Sequence, residues 1–213
     1  MPLTRIDDAL RRIRRGEMVL VVDDEDRENE GDLTLAAEWV TPEAINFMLR
    51  WARGLVCMPC DAARLEELEI GPMVAPGVAG CDTAFAVSID HRNAGSGIGA
   101  ADRALTISKL LAADARPEHF VRPGHVFPLR ARSGGVLERR GHTEAAVDLA
   151  RLAGLAPVAV ICEVLHDDGS PARFPYLELF AEEHRIAMTS VAQVADYRLA
   201  IGDIESSPRP LLL

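Results

Sequence analysis

Two short apolar runs enclose a loop crowded with carboxylates, and this arrangement limits the folds open to the chain. The runs "MVLVV" (18–22) and "LTLAAE" (33–38) are both typical of buried β-strands. Between Asp23 and Asp32 lie seven carboxylates, offset only by Arg27. Repulsion in such a loop lowers stability unless a cation lies among the carboxylates. The sequence therefore predicts a rigid scaffold whose acidic loop suits a divalent cation, which prefers oxygen ligands.

Two other interpretations of the acidic loop stay open. The first is a solvated acidic turn without a ligand. The second is an EF-hand, because Asp26, Glu28, Glu30 and Gly31 match the first half of such a loop. Against the EF-hand, the position of the bidentate glutamate is Ala37, and the flanking segments are predicted strands rather than helices.

Helical and strand patterns follow one another along the rest of the chain without strict βαβ order. The predicted helices are 4–15, one starting at 41–43, a short one capped by Asp61, 100–112, 143–153 ended by Gly154, 175–184, and one capped by Ser190. The further predicted strands are 54–58, 85–89, 125–131 (with Pro128 indicating an edge or bulge), 158–165 and 186–188. We therefore expect an α/β fold of mixed α+β type, with helices packed on the faces of a mixed sheet.

Length and charge exclude several classes of protein. The chain has 213 residues, is 48% hydrophobic and shows no linker, repeat or low-complexity run, which favours one domain. A net charge of −10 argues against nucleic acid or an anionic membrane as the main partner. No apolar run approaches the roughly 18 residues of a membrane span, and the first residues resemble neither a signal nor a transit peptide. The expectation is a soluble cytoplasmic protein.

The cysteines and the single lysine exclude further chemistry. Four cysteines, Cys57, Cys60, Cys81 and Cys162, make no disulfide framework in a chain of this length. The CxxC of Cys57 and Cys60 ends a predicted strand and has no second ligand pair nearby, so small apolar residues are favoured over a redox or zinc site. With only Lys109 and no GxxxxGK loop, a phosphate would be bound by arginine or backbone amides.

A second stretch able to carry chemistry is "RSGGVLERRGHTEAAVDLARLAG" (132–154). A helix is predicted to begin at His142–Thr143, and its free backbone amides favour an anion. Arg139 and Arg140 precede this helix, and Thr143 can cap it while facing a ligand. Together they suggest a phosphate site in which His142 is either a metal ligand or a capping residue. An ordinary capped helix with two surface arginines is the alternative.

Two single residues complete the candidates. Glu163 lies between Cys162 and Val164 in an apolar strand, and a buried carboxylate needs a partner. It is either an acid or base in a reaction or a residue on a wetter face, and both interpretations stay open. His125 in "RPGHVFPL" is more often a structural residue at such a position.

Several motifs in this order and spacing resemble one enzyme family. They are "DDEDRENEGDL", "AADRALTI", "RPGHVFPLRA", "GGVLERRGHTEAAVDLARLAG" and "ICEV". From about residue 4 to residue 199 the chain is similar to 3,4-dihydroxy-2-butanone 4-phosphate synthase of riboflavin biosynthesis. The resemblance implies a three-layer fold with a mixed sheet, one domain over 1–205 with a tail at 206–213, and a homodimer with sites at its interface. It also implies a lyase that converts D-ribulose 5-phosphate to formate and L-3,4-dihydroxy-2-butanone 4-phosphate, using Mg²⁺ or Mn²⁺.

The resemblance assigns expected roles to positions that match the family motifs. Glu28 and His142 are the expected metal ligands, and so small a protein ligand set suits Mg²⁺, while the imidazole suits Mn²⁺ equally. The expected catalytic residues are His125 and Glu163, with Asp23 and Glu30 assisting proton transfer. The expected substrate-binding residues are Arg27, Glu28, Asp32, Arg139, Arg140, Gly141, His142, Thr143 and Glu163.

One loop departs from the family pattern. Residues 95–99 are "GSGIG" where the family usually has "TTGIS", and the loop is one residue shorter. Gly95 and Ser96 replace two threonines, and Gly99 replaces a helix-capping serine, a change of about a few tenths of a kcal/mol. A non-catalytic or altered-specificity paralogue that binds a sugar phosphate is therefore the alternative function. Because bifunctional relatives continue into GTP cyclohydrolase II where this chain ends, the synthase activity alone is expected.

Overall fold

A computed structural model describes residues 3–75 and 82–203 of the chain. Cys81 and the expected tail at 206–213 lie outside the described residues. The helices are α1 (Ile6–Arg14), α2 (Pro42–Phe47, continued by a π-helical turn), α3 (Ala62–Glu67), α4 (Ala100–Leu111), α5 (His142–Leu152), α6 (Phe174–His184) and α7 (Val191–Ala200). The strands are β1 (Val19–Val22), β2 (Gly31–Ala36), β3 (Cys57–Cys60), β4 (Ile89–His91), β5 (Phe120–Arg130), β6 (Ala159–Glu163) and β7 (Ala187–Ser190).

The seven strands form one mixed sheet in the order β4-β5-β3-β6-β2-β1-β7. The pairs β1–β7 and β3–β5 are parallel, whereas the other neighbours are antiparallel. The acidic loop joins the antiparallel pair β1–β2, as its two apolar flanks predict. The longest described helix, α4, has 12 residues, and none of the helices in 3–75 or 82–203 has the length and apolar character needed to cross a membrane.

Helices cover both faces of the sheet because the side chains of each central strand alternate between two cores. Leu20 of β1 packs into the larger core, whereas Val21 packs into the smaller one. The larger core contains buried residues of α2, α3, α4 and α6. The smaller core contains buried residues of α1, α5 and α7. The expected mixed α/β fold with three layers is thus confirmed.

Three strand boundaries differ from the sequence prediction. Strand β2 begins two residues before the predicted 33–38 because Gly31 allows close packing: a Cβ there would lie 2.7 Å from Leu177 Cδ1. The segment 85–89 is not a continuous strand, since Ala86 N–H donates to Pro128 but Val87 N–H donates to Gly71. Strand β3 is Cys57–Cys60 rather than 54–58.

The edge position expected for Pro128 is wrong. Strand β5 lies inside the sheet, between β4 and β3, and Pro128 pairs with Met58. The irregularity in the pairing of β4 with β5 lies between Ile89 and Asp90 instead. Pro128 has no N–H to donate, and its carbonyl accepts from Ala86 N–H at 2.9 Å.

Cap residues end or begin several helices as the sequence predicts. Asp61 accepts from Arg64 N–H at the start of α3, and Ser190 forms a reciprocal capping box with Gln193 at the start of α7. Gly154 follows α5 with φ +80°. Hydrogen bonds and backbone conformations that are local in sequence therefore define these helix boundaries.

Cys57 and Cys60 are free, buried thiols within β3. Burial raises the pKa of both thiols, and for Cys57 the nearby carboxylate of Glu163 raises it further. Both side chains therefore stay protonated at neutral pH and pack as small apolar groups, in agreement with the favoured interpretation.

A buried arginine ties α7 to α5. The Arg198 side chain is 0% exposed, and its Nη1 donates to Asp148 at 2.9 Å and to the Gly134 carbonyl at 2.7 Å. Its Nε donates to Asp203 at 3.2 Å. Because Gly134 lies in the segment before α5, this residue fixes the approach of the chain to the helix N-terminus.

We expect Arg198→Met to lower the free energy of unfolding by about 3–5 kcal/mol, because it leaves buried carboxylate oxygens without their cation. The matched control is Arg11→Met, which removes the exposed ion pair with Asp8 and should cost less than about 1 kcal/mol. Urea denaturation measures both. Equal losses in the two variants would contradict the stabilising role of Arg198 between α7 and α5.

Candidate active site

The Asp23 carboxylate organises the acidic loop. Its Oδ2 accepts from Arg27 Nη1 at 2.7 Å and from Glu28 N–H at 3.1 Å, and its Oδ1 accepts from Glu30 N–H at 2.8 Å. The side chain is only 1% exposed. Backbone donors and one guanidinium thus satisfy this buried charge, and the loop closes around it.

The loop places Glu28 against the N-terminus of α5, where His142 is the first residue. Glu28 Oε2 lies 3.6 Å from His142 Nδ1 and accepts from Arg27 Nη1 at 2.7 Å. Asp23, Glu28 and His142 each offer one possible ligand atom, and these atoms lie within 4.8 Å of one another. The two residues predicted as metal ligands therefore come together, and Asp23 joins them.

The donor set fits a divalent cation. Two carboxylates and one imidazole supply hard oxygen ligands with a nitrogen that Mn²⁺ also accepts. His142 is buried, and its Nε2 has no hydrogen-bond partner among the described residues. A buried ring nitrogen without a protein partner is able to bind a cation.

The charges at this cluster perturb one another strongly. Burial lowers the pKa of His142, but the negative charges of Asp32, Glu28 and Asp23 outweigh it and raise the pKa to about 9. The nearby imidazole of His142 and the charge of Arg27 lower the pKa of Glu28 to about 2, against the effect of burial. Without a metal, the cluster therefore holds a carboxylate beside an imidazolium at neutral pH.

Asp32 and Glu163 form a second pair of carboxylates beside the first cluster. They are cross-strand partners in the antiparallel pair β2–β6, so their side chains share one face of the sheet. Burial raises the pKa of Asp32, and the charge of Glu163 raises it further. Burial also raises the pKa of Glu30, and the negative charge of Glu28 raises it further. The pKa of Asp32 rises to about 7, so this group can exchange a proton near neutral pH.

Backbone atoms of the segment before β3 hold Glu163. Its Oε2 accepts from Leu55 N–H at 2.8 Å, and its carbonyl accepts from Gly54 N–H at 3.1 Å. The Glu163 side chain is half-buried. This lies between the buried acid or base and the residue on a wetter face that the sequence left open. A Cβ at Gly54 would lie 2.4 Å from the Glu163 carbonyl oxygen, so this contact requires glycine.

The start of α5 differs in part from the predicted phosphate site. Gly141 is the N-cap, and Thr143 lies buried inside the first turn, so the prediction that Thr143 caps the helix is wrong. Gly141 has an extended backbone and leaves room for the Arg139 guanidinium, because a Cβ there would lie 2.1 Å from Arg139 Nη1. Arg139 donates to Glu144 at 2.6 Å and is 11% exposed, whereas Arg140 is exposed.

His125 lies on the same face of the sheet as Glu163, on a strand two places away. Phe127 and Ile161 both pair with Cys57, and His125 and Glu163 each lie two residues farther towards the same end of the sheet. Two-residue steps keep both side chains on one face. Because β3 lies between β5 and β6, the two backbones are separated by two strand spacings, roughly 10 Å.

The loop of residues 95–99 is held by backbone donors. Gly95 N–H donates to Asp102 Oδ1 at 2.9 Å, and Gly97 N–H donates to Oδ2 of the same carboxylate at 3.1 Å. Gly99 is the N-cap of α4 and supplies no side-chain cap, as the change from serine predicts. The loop is thus anchored through its main chain.

Sequence reasoning missed three residues near these groups. Asp90 hydrogen-bonds His125, Glu144 pairs with Arg139, and Arg173 donates to the Asn29 carbonyl at 2.6 Å. The signal for Asp90 was a charged residue directly after the predicted half-buried strand 85–89. No local pattern could have linked Arg173 to a loop 144 residues away.

The fold and this cluster define a mixed α/β protein with a candidate divalent-metal centre between an acidic hairpin loop and a helix N-terminus. Residues 7–197 match the model of the family described as 3,4-dihydroxy-2-butanone 4-phosphate synthase. The chain belongs to this family.

Two curated relatives differ in length from each other. The "Riboflavin biosynthesis protein RibBA" of Aquifex aeolicus is 56% identical over 91% of this chain, which spans only 48% of that relative. The "3,4-dihydroxy-2-butanone 4-phosphate synthase" of Agrobacterium fabrum is 52% identical over 92% of this chain and 93% of the relative. The chain thus spans about half of one relative and nearly all of the other.

Solved structures share the fold. A crystal structure of 3,4-dihydroxy-2-butanone 4-phosphate synthase in complex with two magnesium ions has a TM-score of 0.88 and 41% identity, covering 94% of this chain and 99% of that one. The two-domain synthase RibBX of A. baumannii has a TM-score of 0.89 and 48% identity, covering 92% of this chain and 58% of that one.

We expect Gly54→Ala to lower the free energy of unfolding by about 1–3 kcal/mol, because the new methyl group must displace β6 at Glu163. Gly71→Ala is the matched control, since a Cβ there meets no atom within 4 Å, and its effect should stay within about 0.5 kcal/mol. Urea denaturation of both variants checks this. A Gly54→Ala protein as stable as the control would contradict the close contact.

Proposed function

We propose that the protein is a lyase that converts D-ribulose 5-phosphate to L-3,4-dihydroxy-2-butanone 4-phosphate and formate in riboflavin biosynthesis. The observation that carries the proposal is the cluster of Asp23, Glu28 and His142 beside the carboxylate pair of Asp32 and Glu163, in a chain of this family. The two products together contain all atoms of the substrate, so the reaction needs neither an oxidant nor net water. We further propose a single domain over 1–205.

Glu28 and His142 would hold a divalent cation, with Asp23 beside them. When bound, the cation supplies Lewis acidity that polarises the carbonyl of the ketose. The related structure with two magnesium ions supports Mg²⁺, and the imidazole ligand makes Mn²⁺ an equal candidate. The two carboxylate oxygens of Asp23 accept three hydrogen bonds from the loop itself. The main contribution of Asp23 is therefore to position Glu28.

Enolisation of the ketose requires a proton acceptor near the substrate. Asp32, Glu163 and Glu30 are the candidates, because burial and mutual repulsion make the ionised forms of Asp32 and Glu30 less favourable. A carboxylate that binds a proton near neutral pH can take one from carbon and return it later in the reaction. His125 provides a further acid or base on the same face of the sheet.

The phosphate group would bind at the start of α5. The Gly141 N–H already donates to the Arg139 carbonyl, so the donors at the positive end of the helix are the backbone amides of its first turn, at His142 and Thr143. Arg140 is exposed and free to contact an anion, whereas Arg139 must share its guanidinium with Glu144. Arg27, which contacts Asp23 and Glu28, would bind substrate oxygens from the loop side.

We also propose a homodimer with its active sites at the interface. The segment that leads into β3 lies between the backbones of His125 and Glu163, so a substrate would lie above the sheet, between the two side chains. A second subunit over this face would exclude water from that space, which strengthens electrostatic interactions within it.

Formate release tests the proposed function. Purified protein, D-ribulose 5-phosphate and Mg²⁺ are followed by NMR, and we expect formate and the four-carbon phosphate in equal amounts. Glu28→Ala and His142→Ala should lower kcat by about 10²-fold or more, because each removes a metal ligand. Glu25→Gln is the matched control, as Glu25 is an exposed carboxylate of the same loop. Substrate binding without formate from the unaltered protein would favour the paralogue that only binds a sugar phosphate.

Metal affinity should increase with pH. His142 has a pKa raised to about 9, so at neutral pH a cation must displace a proton from it. We expect the association constant for Mn²⁺, measured by electron paramagnetic resonance, to rise by up to about tenfold per pH unit between pH 6 and pH 8. In His142→Ala the affinity should be lower and this slope smaller, because the group whose proton the cation displaces has been removed. An affinity independent of pH in the unaltered protein would contradict His142 as a ligand.

A further inference from the structure

Asp90 holds His125 at two points. Its Oδ2 lies 2.7 Å from His125 Nδ1, and its Oδ1 accepts from the His125 backbone N–H at 2.9 Å. The Asp90 side chain is 14% exposed, whereas the imidazole is 42% exposed. The Asp90 carboxylate is therefore the more buried of the two groups, and part of the His125 ring stays accessible to solvent.

A glycine of the 95–99 loop closes over this pair. Gly97 has φ +85°, and a Cβ there would lie 2.0 Å from Asp90 Oδ2 and 2.5 Å from His125 Nδ1. Asp102 fixes the position of this glycine by accepting its N–H. The loop backbone thus covers the hydrogen bond between carboxylate and ring and limits its access to water.

The chemistry of the two groups determines the tautomer of the ring. An ionised carboxylate can only accept, so Nδ1 must carry the proton in this contact. In the neutral imidazole Nε2 is then the acceptor. A ring fixed in this way has one defined atom for proton exchange, as in other sites where a buried aspartate orients a histidine.

We propose that Asp90 is a positioning residue that keeps His125 protonated at Nδ1, so that Nε2 exchanges protons with the substrate. This inference rests on the proposed function for its catalytic part. Asp90 itself does not touch the substrate, since the ring and Gly97 cover it. The shared face with Glu163 places Nε2 where it can act on the same substrate from the other side.

The first test is the isosteric variant Asp90→Asn. An amide NH₂ placed at Oδ2 would donate to Nδ1 and favour the opposite tautomer, with the proton on Nε2. We expect kcat for formate release to fall by about 10²–10⁴-fold. KM should change by less than about threefold, because substrate contacts remain. Two-bond ¹H–¹⁵N NMR correlations of His125 should show the proton moving from Nδ1 to Nε2.

Asp102→Asn is the matched control, because it alters the same loop without touching the ring. It should leave the proton of His125 on Nδ1. Gly97→Ala is a second variant that separates Asp90 from His125 without changing either charge, and it should also lower kcat. Circular dichroism and thermal unfolding verify that each variant is folded.

The outcomes separate this inference from the proposed function. Unaltered kcat in Asp90→Asn, or a proton that stays on Nδ1 in that variant, would overturn the role of Asp90. If the unaltered protein releases no formate, the proposed function fails. The NMR comparison needs no turnover, so it still decides whether Asp90 sets the tautomer of His125.

Discussion

The Asp23 carboxylate is the contact on which the candidate site depends. Seven carboxylates within ten residues repel one another, and the loop would expand without an internal acceptor to close it. Asp23 accepts two backbone N–H groups and one guanidinium N–H, and hydrogen bonds to a charged group contribute about 1.5–3 kcal/mol each. This closure turns Glu28 towards His142, so the loop is compact enough to serve as one side of a metal site.

The sheet brings together residues that are far apart in the sequence. Asp32 and Glu163 meet because β2 and β6 are antiparallel neighbours, and His125 shares their face because β5 and β6 both pair with β3. On the same side, α5 packs over the centre of the sheet and presents His142 at its start. Arg198 stabilises this placement through Asp148, at a distance from the candidate site.

The sequence could predict the features that depend on local pattern. Apolar runs, caps and the acidic loop indicated most elements, and the family motifs indicated Glu28 and His142 as partners. Contacts between distant segments could not be predicted in this way. The pairing of Arg139 with Glu144 depends on how the chain enters α5, and the tie between Arg173 and the acidic loop depends on the position of α6.

The difference between local pattern and contacts in the folded chain also explains why the sequence of the 95–99 loop suggests a larger effect than its structure does. From the sequence alone, the replacement of threonines by Gly95 and Ser96 indicates lost hydroxyl contacts and a weakened site. In the structure the loop is anchored by main-chain N–H groups to Asp102, and these contacts do not require a hydroxyl side chain. The glycine that does matter is Gly97, whose φ of +85° and close approach to Asp90 exclude other residues. The departure therefore falls at positions where the fold does not need a side chain, and the position that controls His125 retains its glycine.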